Sequence, residues 1–158
     1  MKEKDLLLVQ LEQAFQRKSW HGTNLAGSIR GLKPELAQLR AAKGRHNIWE
    51  LIVHCAYWKY SVYRRLENLP AGSFPLKGSN WFKRPEENTP KALKADIRLL
   101  KTCHRDLTEA VERFSPRKLG DVPKGSKTTY RDLIIGAAAH DLYHAGQIQL
   151  IKRLKKKN

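Results

Sequence analysis

The strongest pattern of apolar and polar positions lies in the last third of the chain, where Tyr130 to Leu154 repeats with a helical period. Taking every third or fourth residue gives Tyr130, Leu133, Ala137, His140, His144, Gln147, Ile151 and Leu154. These share one side of a helix, and a stripe of this kind faces the rest of a protein. His140 and His144 are therefore expected to point inward.

Three more long helices follow from the same period. The first spans about Glu3 to Arg17, with Leu8, Leu11 and Phe15 at inward spacing, and stops near Trp20-His21-Gly22. A shorter piece from Thr23 to Leu32 places Leu25, Ile29 and Leu32 on one side. Lys33-Pro34 breaks it, because a proline restricts the residue before it, and Pro34 then opens one more turn through Leu36 and Leu39. Gly44-Arg45-His46 reads as a loop. Asn47-Ile48-Trp49-Glu50 has the spacing of a capping residue with a carboxylate three positions on, which starts a helix running to about Asn68.

Leu69 to Asn88 holds three prolines and two glycines and is the longest expected irregular stretch; loops of that length often form the lid or edge of a site. Thr89-Pro90 launches the next helix, whose seam is Leu93, Ile97, Leu100, His104, Leu107, Val111 and Phe114, and Ser115-Pro116 ends it. After the polar link Gly120 to Lys127, Thr128 or Thr129 caps the last helix, with Asp132 favourable in its first turn. There is no internal repeat, glycine-rich phosphate loop or alternating strand pattern of useful length. The expected fold is all-α: a four-helix bundle, up-down-up-down or with one longer crossover.

A length of 158 residues suits one domain, 1–158, with a basic tail at about 152–158. Cys55 and Cys103 lie in different predicted helices without CxxC spacing, so reduced, intracellular thiols are expected. Alternating charges at Met1 to Asp5 lead into the short run Leu6 to Val9, too short for a signal core or a membrane span, which points to a soluble, cytoplasmic protein with no membrane partner.

The net charge of +16 raises nucleic acid as a partner. Its distribution argues against specific recognition. In the third long helix and just before it, six acidic residues between Glu86 and Glu112 nearly balance six basic ones between Lys91 and Arg113, and the excess gathers in Lys152, Arg153, Lys155, Lys156 and Lys157. Cations at a helix C-terminus also suit its dipole. Non-specific sticking at low salt is expected instead.

A separation of four offsets His140 and His144 by only about 40° and about 6 Å along the axis, so both rings can reach one ion. Such a pair is half of a zinc or nickel site. His140-Asp141-Leu142-Tyr143-His144 echoes the HExxH motif of zinc proteases, with aspartate in place of glutamate. Those enzymes take a third ligand from downstream, yet Ala145 to Asn158 contains no histidine, aspartate or glutamate. A third ligand must come from an earlier helix. Leu51, His54, Trp58 and Ser61 share a face of the second long helix, which makes His54 the preferred candidate. Three neutral imidazoles would leave coordination positions for water or substrate. Di-iron chemistry is set aside because its paired Glu-x-x-His motifs are absent.

The other candidates carry blander expectations. His104 is expected to be a core residue more than a fourth ligand, and His21 and His46, which flank helix starts, to have capping or surface roles. Cys55 is turned about 100° from His54 and reads as a small buried hydrophobe. Asp141 is turned as far from His140, which gives it a supporting or surface role. Trp20, Trp49 and Trp81 are expected as core anchors, and Trp58, one turn past His54, near the pocket. Gln147, on the seam beyond His144, could hydrogen-bond within that pocket.

Trp20-His21-Gly22, His46 to His54, Tyr130-Arg131-Asp132-Leu133 and His140-Asp141-Leu142-Tyr143-His144-Ala145-Gly146-Gln147-Ile148 together resemble the DinB/YfiT-like family of metal-binding four-helix bundles, a likeness that covers nearly the whole chain. The resemblance implies that His54, His140 and His144 bind a divalent metal, nickel or zinc. It implies a hydrolase or a transferase of low-molecular-weight thiols, acting on a small-molecule substrate through metal-bound water or thiol. A non-catalytic homodimer with a structural metal is the alternative, and a basic nucleic-acid-binding protein is the third.

Overall fold

The computed structural model describes residues 1–155, so Lys156 and Lys157 of the expected basic tail lie outside the described residues. In chain order the helices are α1 (Glu3–Phe15), α2 (Leu25–Ser28), α3 (Pro34–Ala37), α4 (Ile48–Leu66), α5 (Pro90–Arg113) and α6 (Tyr130–Lys155), with one 3-10 turn at Pro116–Lys118. The described residues form no strand; one isolated bridge joins Arg40 to Asn47.

The helices begin where local chemistry satisfies their first amides. At α4, Asn47 Oδ1 accepts from the Glu50 amide (2.7 Å) and a Glu50 carboxylate oxygen accepts from the Asn47 amide (2.9 Å), a reciprocal capping box. The same cap ties down the crossover, because Asn47 Nδ2 donates to the Arg84 carbonyl at 2.8 Å. Thr89 caps α5 with Pro90 behind it. Of the two threonines before α6, Thr129 does the capping: its hydroxyl accepts from the Asp132 amide at 3.1 Å.

Side-chain pairs fix the helix directions. Trp49 reaches Asp96 (2.7 Å) near the starts of α4 and α5, and Glu67 pairs with Arg113 (2.9 Å) at their ends, so these two helices run parallel. Lys4 donates to the Glu112 carbonyl and Glu3 pairs with Arg131, which sets α1 antiparallel to α5 and parallel to α6. Leu66 shares a cluster with Ile134, while Leu51 shares one with Ile148, so α4 opposes α6. The bundle is thus up-down-down-up, the long-crossover form of the two arrangements expected. A helix of 19 residues such as α4 is roughly 28 Å long, and the chain from Glu67 to Thr89 returns along it.

Two apolar clusters fill the interior. One joins Leu7, Leu11, Leu66, Leu107 and Ile134 at one end; the other joins Leu25, Trp49, Ile52, Leu100 and Ile148 at the other. Between them lie Lys59, His104 and Asp141, all buried. Several expectations need correction here. In α6 the deepest positions are Ile134, Asp141 and Ile148, so the buried stripe is rotated by about one residue and Leu154 is exposed. Asp141 can sit at its centre because Lys59 meets it there. In α1 Leu7 and Ala14 are deeper than Leu8, and the Thr23–Leu32 piece shrinks to α2, with Gly31 turning out at φ +66°. Trp20 is no core anchor; it is 101% exposed.

Candidate metal centre

The middle of α4 and the middle of α6 face each other, and there the Nε2 atom of His140 lies 3.1 Å from Nε2 of His54 and 3.0 Å from Nε2 of His144. The outward nitrogens of two rings are engaged. His54 Nδ1–H donates to the Asn80 carbonyl at 2.8 Å, and His144 Nδ1–H donates to Gln147 Oε1 at 2.7 Å. Each donation fixes the tautomer and leaves an Nε2 lone pair aimed at the common point. His140 can supply only one proton to two such neighbours.

Burial also keeps the rings neutral. Removal from water is the main cause pushing His54 down to about 4 and His140 to about 3, with neighbouring imidazoles adding to it. His144 is lowered too, by burial against the opposing pull of its bond to Gln147. A tetrahedral ion bound at about 2.0 to 2.1 Å separates its ligand nitrogens by roughly 3.3 Å, close to the spacing found. The donor set therefore fits a divalent ion. A second trio, Cys55, His140 and Asp141, also lies within 4.8 Å, but the carboxylate is paired with Lys59 and burial holds the thiol protonated.

The crossover closes over His54. Asn80 adopts the left-handed conformation (φ 62°), one that asparagine tolerates better than most residues. Its carbonyl accepts the hydrogen bond from His54 Nδ1–H while its side-chain oxygen accepts from Trp58 Nε1 at 3.0 Å. Trp81 lies flat on His54 (3.7 Å between ring centres) and His46 lies flat on the other face of Trp81 (3.5 Å). His46 is steadied in turn by Glu50 at 3.4 Å. Trp58 stands edge-on to His54 and His140, 38% exposed.

A family model for the DinB superfamily matches residues 18–148. The chain belongs to the DinB superfamily. No curated protein and no solved structure matches it. In this DinB-superfamily protein the matched stretch contains all three converging histidines.

The structure separates the remaining sequence candidates of this DinB-superfamily chain. His104 does not join the trio: Lys59 donates to its Nδ1 (3.2 Å) and its Nε2 lies 2.8 Å from Glu12. Asp141 is not on the surface; its Oδ2 accepts from Lys59, and its Oδ1 has no hydrogen-bond partner among the described residues. His21 is exposed and bonded to Ser19. Gln147 sits beside His144 and lines a hollow there. Sequence reasoning missed Asn80, Trp81 and His46 as supports of the trio. The available signal was an asparagine suited to a left-handed turn immediately before the aromatic pair Trp81-Phe82 in a long crossover. No helix among the described residues is long and apolar enough to cross a membrane.

Proposed function

We propose that this DinB-superfamily protein is a cytoplasmic metal-dependent enzyme, a hydrolase or a transferase of low-molecular-weight thiols, whose zinc or nickel ion is held by His54, His140 and His144. The observation that carries this reading is the meeting of three Nε2 atoms with too few protons to satisfy them. Two free, buried cysteines fit a reducing compartment. When bound, such an ion acts as a Lewis acid that lowers the pKa of a water or thiol on it.

The chain's own residues do the rest. Asn80 and Gln147 hold two imidazoles in the tautomer that presents Nε2. Trp58 and Trp81 shield the crossover side from bulk water, which strengthens electrostatic interactions within the site. Asp141 is turned into the core and paired with Lys59, so it is not placed to take a proton from a substrate. Were an ion held by the three histidines, it would supply the activation that Asp141 is not placed to give.

Metal analysis of untagged protein tests the reading. About one equivalent of zinc or nickel is expected, lost in His140→Ala and in His144→Ala. Full metal content in either variant overturns it. A panel of esters and of thiols with electrophiles, run with and without metal, then separates catalysis from support: a large loss of stability on metal removal with no turnover of any panel member would favour the structural, homodimeric alternative.

A further inference from the structure

A hollow of about 350 Å³ opens directly beside His144, between α6, the loop before α4 and the crossover. That volume lies in the range of small-molecule sites and equals roughly a dozen waters. Its walls are apolar: Leu51, Trp81, Leu150 and Ile151. One end is formed by His144 and Gln147, and Arg45 stands in the lining as well. The Arg45 side chain has no hydrogen-bond or ion-pair partner among the described residues, while its carbonyl accepts from Arg40. Glu50, the nearby carboxylate, is already held by Arg40 at 2.8 Å and by His46. Arg45 is solvent-exposed, and an arginine at the rim of an apolar hollow, with no carboxylate of the described residues on it, favours an anion with an apolar body.

We propose that this hollow binds a small organic anion, its carboxylate or sulfonate on Arg45 and its apolar body against Leu51, Leu150 and Ile151, with the far end directed at the histidine trio. Only the last part rests on the trio being a metal centre. The anion preference stands on Arg45 and the walls alone. Substrates of the proposed enzyme are then amphipathic acids rather than neutral or cationic molecules.

Calorimetric titration of the full chain with 4-phenylbutyrate and with 4-phenyl-1-butanol, in metal-free and metal-loaded forms, tests this. The carboxylate is expected to bind at least about tenfold more tightly than the alcohol, a difference of about 1.4 kcal/mol. Arg45→Gln, an exposed position whose change should leave the melting temperature in place, is expected to equalise the two, and Arg45→Lys to restore part of the preference. Leu150→Glu is expected to weaken both. His140→Ala should keep the preference, so a failure of the metal reading is told apart from a failure of this one. Equal affinities in the unaltered protein, a preference that survives Arg45→Gln, or no binding of either probe would overturn the proposal. A preference that appears only with metal present would overturn it too, because the ion and not Arg45 would then be reading the carboxylate.

Discussion

His54, His140 and His144 on one side, and Glu12, Lys59, His104 and Asp141 on the other, are all drawn toward the middle of the same bundle, yet their bookkeeping of charge differs. The second group contains its own opposite charges: Lys59 donates to Asp141 and His104, and His104 meets Glu12. The first contains only neutral bases whose lone pairs converge. A mixed cluster holds its members in place. A cluster of like acceptors has room for something positive. That contrast explains why neighbouring buried polar sites, separated by little more than one turn of α4, have different uses.

The harshest way to break the contrast is Lys59→Met. Removing one partner of a buried pair leaves Asp141 uncompensated, and a loss of about 3 to 5 kcal/mol is expected by denaturant titration, with most of it recovered in Lys59→Met/Asp141→Leu. A loss under about 1 kcal/mol for the single change would mean the cluster is not self-contained. Next in size is the response to metal. Zinc at about a hundred times its dissociation constant should stabilise the unaltered protein by about 2.7 kcal/mol, stabilise the Lys59→Met/Asp141→Leu protein equally, and leave His140→Ala unchanged. An equal gain in His140→Ala would place the ion elsewhere.

Gln147→Leu sharpens the picture on the histidine side. Without the acceptor for His144 Nδ1–H, metal affinity is expected to fall about ten- to a hundredfold with little change in fold, as read by competition with a chelator. The smallest effect expected is from pH. Burial first, and Lys59 second, push His104 down to about 4. Between about pH 6.5 and 4 the unfolded chain takes a proton that the folded state refuses, so stability falls as pH falls through that window and is unaffected above it. Near pH 5.7 this amounts to about 1 kcal/mol. In metal-free protein His104→Gln should flatten the slope of melting temperature against pH over that range; an unchanged slope would show that His104 does not resist protonation.

Much of this could be read in the sequence. Helix starts were legible because Asn47, Thr89 and the Thr128-Thr129 pair each offer a side chain to an unpaired amide, and the structure uses Asn47, Thr89 and Thr129 in that way. The trio was legible because a spacing of four and a shared face are local properties of a helix. What escaped was long-range. Asp141 reads as polar in a periodicity count, and only the approach of Lys59 from α4 makes it the centre of the buried stripe of α6. The parallel course of α4 and α5 depends on how the crossover returns along the bundle, which apolar spacing does not encode. Trp81 meets His54, and His46 meets Trp81, only because that crossover folds back over α4.

X-ray absorption at the zinc or nickel edge of the untagged, metal-loaded protein is the most direct test of the converging imidazoles. Three histidine nitrogens are expected at about 2.0 to 2.1 Å, with the remaining neighbours light atoms from solvent, and that signature is expected to be lost in His54→Ala. A sulfur neighbour at about 2.3 Å, or an unaltered spectrum in His54→Ala, would contradict it.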